Sequence, residues 1–253
     1  MNLANNNPVP LIEFRDVVKR FGNKTILDGL SFKVFEGDTF CLIGGSGTGK
    51  SVTLKLLLGL IPIESGEIYF LGRPISDLSE DELNKIRLHM GMLFQGGALF
   101  DSLSVFENIA YPLEETQDFS ETEIRERVLQ TLARVGLPEA GTLFPASLSG
   151  GMVKRVGLAR AIITQPKVVL YDEPTAGLDP TNTNRIDELI MKLSKDLKVT
   201  SVVVTHHMES VFRIADRVAL LFDKKTRFLG SVQELKNSND EIVQQFISGT
   251  IRS

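Results

Sequence analysis

Apolar and polar positions along this chain follow two periods, and the points where one gives way to the other divide it into segments. Residues 11–21 (LIEFRDVVKRF), 30–40 (LSFKVFEGDTF) and 66–72 (GEIYFLG) alternate or cluster β-formers between turn residues, which predicts antiparallel strands. TFCLIG (39–44) is a continuous apolar run that reads as a buried strand feeding a glycine-rich loop. Residues 50–60 then take helical spacing, stopped by Pro62, and 79–90 open with Ser79 and Glu82 at capping-box distance. GMLFQ (91–95) predicts another buried strand ending at Gln95. From 96 to 145 the pattern is helical only, notably at 120–136, and a further helix follows through Ile163. Three buried-strand patterns close the series at 167–173, 200–206 and 217–223. Helical patterns at 182–197 and 208–216 lie between them.

Alternating strands and helices predict an α/β fold with a mostly parallel sheet. The expected organisation is a loose arm at 1–10 and an α/β core at 11–95 and 166–253, with an N-terminal antiparallel β subdomain. A helical subdomain at 96–165 is inserted into that core. A length of 253 residues suits one such domain. No apolar run approaches the roughly 18 residues of a membrane span, and residues 56–63 are broken by Pro62. No secretory pattern opens the chain, so an intracellular protein is expected and the Asn23–Lys24–Thr25 triplet reads as chance. The 28 basic and 32 acidic residues give a net charge of −4, which disfavours nucleic acid as a partner. The single cysteine, Cys41, lies in an apolar run and reads as an inert buried thiol.

Chemistry concentrates in two glycine-rich loops. GGSGTGKS comprises Gly44, Gly45, Ser46, Gly47, Thr48, Gly49, Lys50 and Ser51, and fits the phosphate-loop pattern between a strand and a helix. Its backbone amides are expected to hold phosphates, Lys50 to neutralise their oxygens and Ser51 to reach Mg²⁺; a plain glycine turn would leave Lys50 without purpose. In VVLYDEP, Asp172 would orient Mg²⁺ and Glu173 would polarise an attacking water, although acidic residues also commonly end strands. The second loop, LSGG, has Ser149 at a helix N-cap followed by Gly150 and Gly151, a donor-rich surface with no lysine of its own. One nucleotide already belongs to the first loop, so the second makes sense if it completes the site of another subunit.

These motifs, with Gln95, DEP and TH, resemble the ATPase subunit of ABC transporters over nearly the whole chain. The resemblance implies ATP and Mg²⁺ as cofactors and a head-to-tail homodimer in which each LSGG loop closes over the partner's ATP. It implies that Phe21 stacks on adenine (a core position is the alternative), and that Gln95 touches Mg²⁺ and hinges the helical subdomain. It further implies that Asp179 reaches the opposite subunit and that His206 contacts the γ-phosphate. His207 stands where the family usually has an acid and is expected to be plain surface, as is His89. Met152 replaces the usual glutamine, Ser147 an acid and Val52 a hydroxyl, and none of these removes a catalytic group. Met152, Phe144, Pro145 and the segment 93–113 are similar to the ATPases of Mla-type phospholipid transport systems. That branch implies permease subunits, an MCE-domain lipid-binding protein and a small accessory subunit as partners. It also implies a peripheral place on the cytoplasmic face of a bacterial inner membrane. Importers of amino acids or metals share the same catalytic motifs, and a non-transport ABC ATPase acting on ribosomes or DNA is the reading from another class. Leu99, Phe100, Leu103, Val105, Phe106 and Ile109 exceed what a surface loop carries. Some are expected in the core and others in a groove that receives a permease helix.

Overall fold

The computed structural model describes residues 9–116 and 118–250. The expected loose arm lies outside them up to residue 8.

Two sheets organise the chain. The smaller is antiparallel, in the order β2-β1-β4-β5: β1 (Ile12–Phe21), β2 (Lys24–Val34), β4 (Ser65–Phe70) and the two-residue β5 (Arg73–Pro74). The larger contains β3 (Thr39–Ile43), β6 (Met90–Leu93), β7 (Val168–Asp172), β8 (Thr200–Thr205), β9 (Arg217–Phe222) and β10 (Lys225–Ser231). Its order is β10-β9-β3-β8-β7-β6, parallel throughout except for the edge strand β10, which pairs antiparallel with β9.

The parallel strands are buried on both faces, which explains their unbroken apolar runs. Alternate side chains serve two cores. Phe40, Leu42, Val168, Leu170, Val202 and Val204 pack toward the antiparallel sheet, with α1 (Lys50–Leu57) and α2 (Glu80–Arg87). Cys41, Ile43, Val169, Tyr171 and Val203 face the opposite layer, which includes α6 (Pro180–Leu197), α7 (Met208–Ile214), α8 (Val232–Lys236) and α9 (Glu241–Ile247). Burial pushes the Cys41 thiol far up, as an inert core sulfur requires.

Between the paired neighbours β6 and β7 the chain leaves the sheet for α3 (Val105–Thr116), α4 (Glu121–Arg134), a 3₁₀ turn (Pro145–Ser147) and α5 (Gly150–Ile162). Packing admits no space here: a Cβ on Gly91 of β6 would lie 2.1 Å from the Ala161 carbonyl oxygen of α5. Strand β6 ends at Leu93, two residues short of the expected Gln95. There the chain turns, with the Gly97 amide donating to Phe94 O at 2.8 Å. Elements β10 and α8 escape the sequence pattern. In β10 burial merely alternates between exposed and half-buried, as on an edge strand, and α8 is one short turn fixed by a Ser231–Glu234 capping box.

Candidate functional site

Strand β3 ends against β9 in a place with no room for a side chain. A Cβ on Gly44 would stand 2.7 Å from Leu221 O and 2.8 Å from Thr48 Oγ1. The chain turns there, passes Gly45 and the exposed Ser46, takes a positive φ at Gly47 (74°) and again at Gly49 (111°), then enters α1. Gly49 caps that helix without a side-chain bond, so the first amides, at Lys50 and Ser51, remain available to an anion. Thr48 Oγ1 donates to Gly45 O at 2.9 Å and holds the loop in this curve.

Lys50 folds back into its own loop. Its ammonium donates to Gly44 O at 2.8 Å and Gly45 O at 2.9 Å and lies 3.4 Å from Glu173 Oε1. Ser51 Oγ donates to Asp172 Oδ1 at 2.7 Å, joining residues 121 apart in sequence. Glu173, just past β7, is 9% exposed and held at φ 45°, a left-handed conformation that a non-glycine residue adopts at some cost. Its amide donates to Val204 O at 2.9 Å, and its Oε1 lies 2.9 Å from His206 Nδ1. Burial alone would raise the Glu173 carboxyl. The hydrogen bond from His206 and the charge of Lys50 outweigh it, and the group sits below the usual glutamate range. His206 itself projects outward, its side chain 63% exposed, past the end of β8.

A second cluster lies on the exposed surface at the start of α5. Ser149 Oγ accepts from Met152 N at 3.3 Å as the helix N-cap. A Cβ on Gly151 would meet Asn182 Oδ1 at 2.9 Å, and Asn182 is in turn the residue whose amide Asp179 caps at the start of α6. Ser149, Gly150, Gly151 and Asp179 therefore form one patch. No hydrogen bond joins that patch to the phosphate loop among the described residues. Phe21 stands at the tip of the β1–β2 hairpin, 49% exposed rather than in the core, with the Lys19 ammonium 5.0 Å from its ring centre. The same hairpin's Ile26 and Leu27 line Gly49. Gln95 has an exposed side chain beyond β6.

Two features had escaped the sequence. Lys154, on α5, is 5% exposed and donates to the backbone oxygens of Gln95 and, at 3.4 Å, of Glu173. Its only sequence signal is a lysine on the helix's buried face. His207, expected to be plain surface, is half-buried and caps α7. Its Nδ1 lies 2.9 Å from Ser210 Oγ, which donates to the buried Asp187 at 2.9 Å. The cap needs an acceptor at this position, and His207 Nδ1 accepts from the Ser210 amide at 3.4 Å. His89 is exposed, as expected.

The six apolar residues of 99–109 divide unevenly. Val105 and Ile109 are core, and Leu99 and Phe106 pack against it. Phe100 is 44% exposed and lines a groove of about 850 Å³ with Leu88, Phe94, Tyr111, Pro112 and Arg160. Phe100 and Tyr111 have ring centres 5.1 Å apart. Among the described residues no helix is long and apolar enough to cross a membrane.

A family model described as ABC transporter matches residues 27–176. The chloroplast protein TRIGALACTOSYLDIACYLGLYCEROL 3 of Arabidopsis thaliana is 44% identical over 98% of this chain and 76% of its own length. The intermembrane phospholipid transport system ATP-binding protein MlaF of Haemophilus influenzae is 42% identical over 94% of this chain and 90% of its own. Among solved structures, the dimeric ATP-binding cassette MJ0796 bound to ADP and Pi matches with a TM-score of 0.80 and 31% identity, covering 87% of this chain and 98% of that one. CbiO1 from Clostridium perfringens, part of an ABC transporter complex, matches at 0.84 and 28% identity over 93% and 94%.

Proposed function

The chain belongs to the ABC transporter family, as an ATP-hydrolysing subunit, and from that premise we propose that two copies close on two ATP molecules to drive a membrane permease. The observation that carries this reading is the division of the site into two clusters. Lys50, Ser51, Asp172, Glu173 and His206 converge on one phosphate loop. Ser149, Gly150 and Asp179 form a separate exposed patch, with Gly151 buried beneath it against Asn182. A second copy facing the first head to tail would bring each patch onto the other's ATP.

The Lys50 ammonium is held by Gly44 O, Gly45 O and the Glu173 carboxylate. An arriving phosphate competes for that ammonium and frees the Glu173 carboxylate toward water, with His206 left to grip the γ-phosphate. Gly44, Gly45, Ser46, Gly47, Thr48 and Gly49 wrap the phosphates, and the exposed ring of Phe21 offers a stacking face to adenine. Ser51, Asp172 and Gln95 suit Mg²⁺: a hydroxyl and a carboxylate already touch, and Mg²⁺ accepts few protein oxygens beside phosphates and water. Bound there, the ion would offset developing charge on the phosphates.

Glu173→Gln tests the core of this reading. It keeps the shape of the site but removes the carboxylate, so turnover should fall by about a hundredfold or more while ATP traps a stable dimer on a sizing column. Native turnover in that variant removes Glu173 from its role.

The name of the MlaF relative, from an intermembrane phospholipid transport system, supports phospholipid as the cargo; an MCE-domain protein and a small accessory subunit would stand beside the permease. The subunit would sit peripherally on the cytoplasmic face of the inner membrane. The groove between α2, β6, α3 and α5 would receive a short permease helix. Phe100→Ala should therefore abolish lipid transport by the assembled transporter and spare hydrolysis by the isolated subunit. Proportional loss of both removes the groove from coupling.

A further inference from the structure

Lys154 is the cation that the hydrolytic reading leaves unused. It lies one turn beyond Ser149 on α5, and its side chain turns inward where most lysines reach water. Burial pulls its ammonium below the usual lysine range, against the pull of Asp172 and Glu173. A buried ammonium persists only where acceptors hold it, and the two found here are backbone carbonyls of Gln95 and Glu173. Each has a special position. Gln95 stands where the chain leaves β6 for the helical segment, and Glu173 is the strained residue that carries the carboxylate. One ammonium thus bridges three segments: the helix behind the LSGG loop, the entry to the helical segment and the turn after β7.

We propose that Lys154 is a positioning residue that couples the orientation of the helical segment to the placement of the Glu173 carboxylate. When α5 lies as it does here, both carbonyls fall within reach of the same Nζ. Rotation of the segment would move Nζ away from the Glu173 carbonyl and leave that carbonyl to the Ala176 amide alone, which donates to it at 3.1 Å, loosening one of the two contacts on a residue held at φ 45°. Lys154 makes no contact with the phosphate loop among the described hydrogen bonds, so it acts through Glu173 rather than on nucleotide. The proposal rests on Glu173 acting on the attacking water, and the experiment keeps the two apart.

Lys154→Met replaces the ammonium with an apolar chain of similar length and takes a donor from the Gln95 and Glu173 carbonyls, which lowers stability as well as removing the bridge. The expected result is a melting temperature lowered by a few degrees and unchanged ATP affinity in equilibrium titration, with kcat, measured well below the melting range, lowered about tenfold or more. Lys154→Arg, which keeps the charge and the donors, should recover most of the rate. In a Glu173→Gln background, followed with radiolabelled ATP over hours, Lys154→Met should lower the residual rate no further, because its route is already cut. Native kcat in Lys154→Met overturns the proposal. So does loss of ATP affinity matching the loss of rate, or the same fold loss again in the double variant. Should Lys154→Met not fold, Lys154→Gln takes its place in the same cycle: it retains one donor group and removes the charge. Glu173→Gln on its own retaining native turnover would defeat the reading of Glu173 instead, whatever Lys154 does.

Discussion

At the scale of single residues, this site depends on how close the backbone can come to itself. Gly44 is the sharpest case, because its missing side chain leaves space for the Leu221 carbonyl and for Thr48. The Thr48 hydroxyl can rotate aside, whereas Leu221 belongs to β9 and is fixed by its ladders to β3 and β10. Gly44→Ala should therefore cost about 1–3 kcal/mol of stability by overpacking and weaken ATP binding, read by melting and by nucleotide titration. A variant as stable as the parent would mean that the β3–β9 junction yields more easily than its register implies. Glycines at 44 and 49 and the lysine at 50 were legible because a phosphate loop is a local motif. The Ser51–Asp172 contact joins residues 121 apart that the motifs had assigned to one Mg²⁺, whereas the His206–Glu173 contact joins residues 33 apart, and His206 was placed at the site only through the family resemblance. Lys154 had neither support: its partner Gln95 is 59 residues away, and nothing in MVKRV marks the lysine as facing inward.

At the scale of elements, caps explain why the helices start where they do, and they were among the most readable features. Ser79 with Glu82 closes a capping box at α2, as its spacing promised, and Ser120 with Glu123 closes another at α4. Edge elements were less readable: β10 pairs with only one strand and α8 is five residues long, so neither carries a sustained period. Ser149 has an observed role as N-cap and a proposed one at the γ-phosphate, and chemistry can separate the two. As an N-cap it needs only an acceptor, which Asp supplies as well as Ser. As a surface for a γ-phosphate it must not be negative. Ser149→Asp should therefore melt within about a degree or two of the parent yet lose hydrolysis by about a hundredfold. If the aspartate variant hydrolyses normally, the loop is a cap alone. If it unfolds, the cap geometry seen here is not what holds α5.

At the scale of the whole molecule, the question is whether a complete site can be made from two incomplete copies. Each chain holds its phosphate loop inside the α/β core and its LSGG patch on the start of α5, and no hydrogen bond bridges the two clusters among the described residues. A symmetric head-to-tail pair solves this, because the same two surfaces meet twice. The consequence can be tested by mixing two inactive proteins. In a pair of one Ser149→Asp chain and one Glu173→Gln chain, the first contributes an intact phosphate loop with its own Glu173, and the second contributes an intact LSGG loop. That site is complete, while the other site of the same pair carries both defects. Random pairing makes half the dimers mixed, so the mixture should regain roughly a quarter of native hydrolysis when one complete site turns over independently. Any rate clearly above both parents requires the loop to act across the interface. A mixture that gives only the mean of its parents means that each chain hydrolyses ATP with its own residues, and the head-to-tail arrangement then has no part in the chemistry.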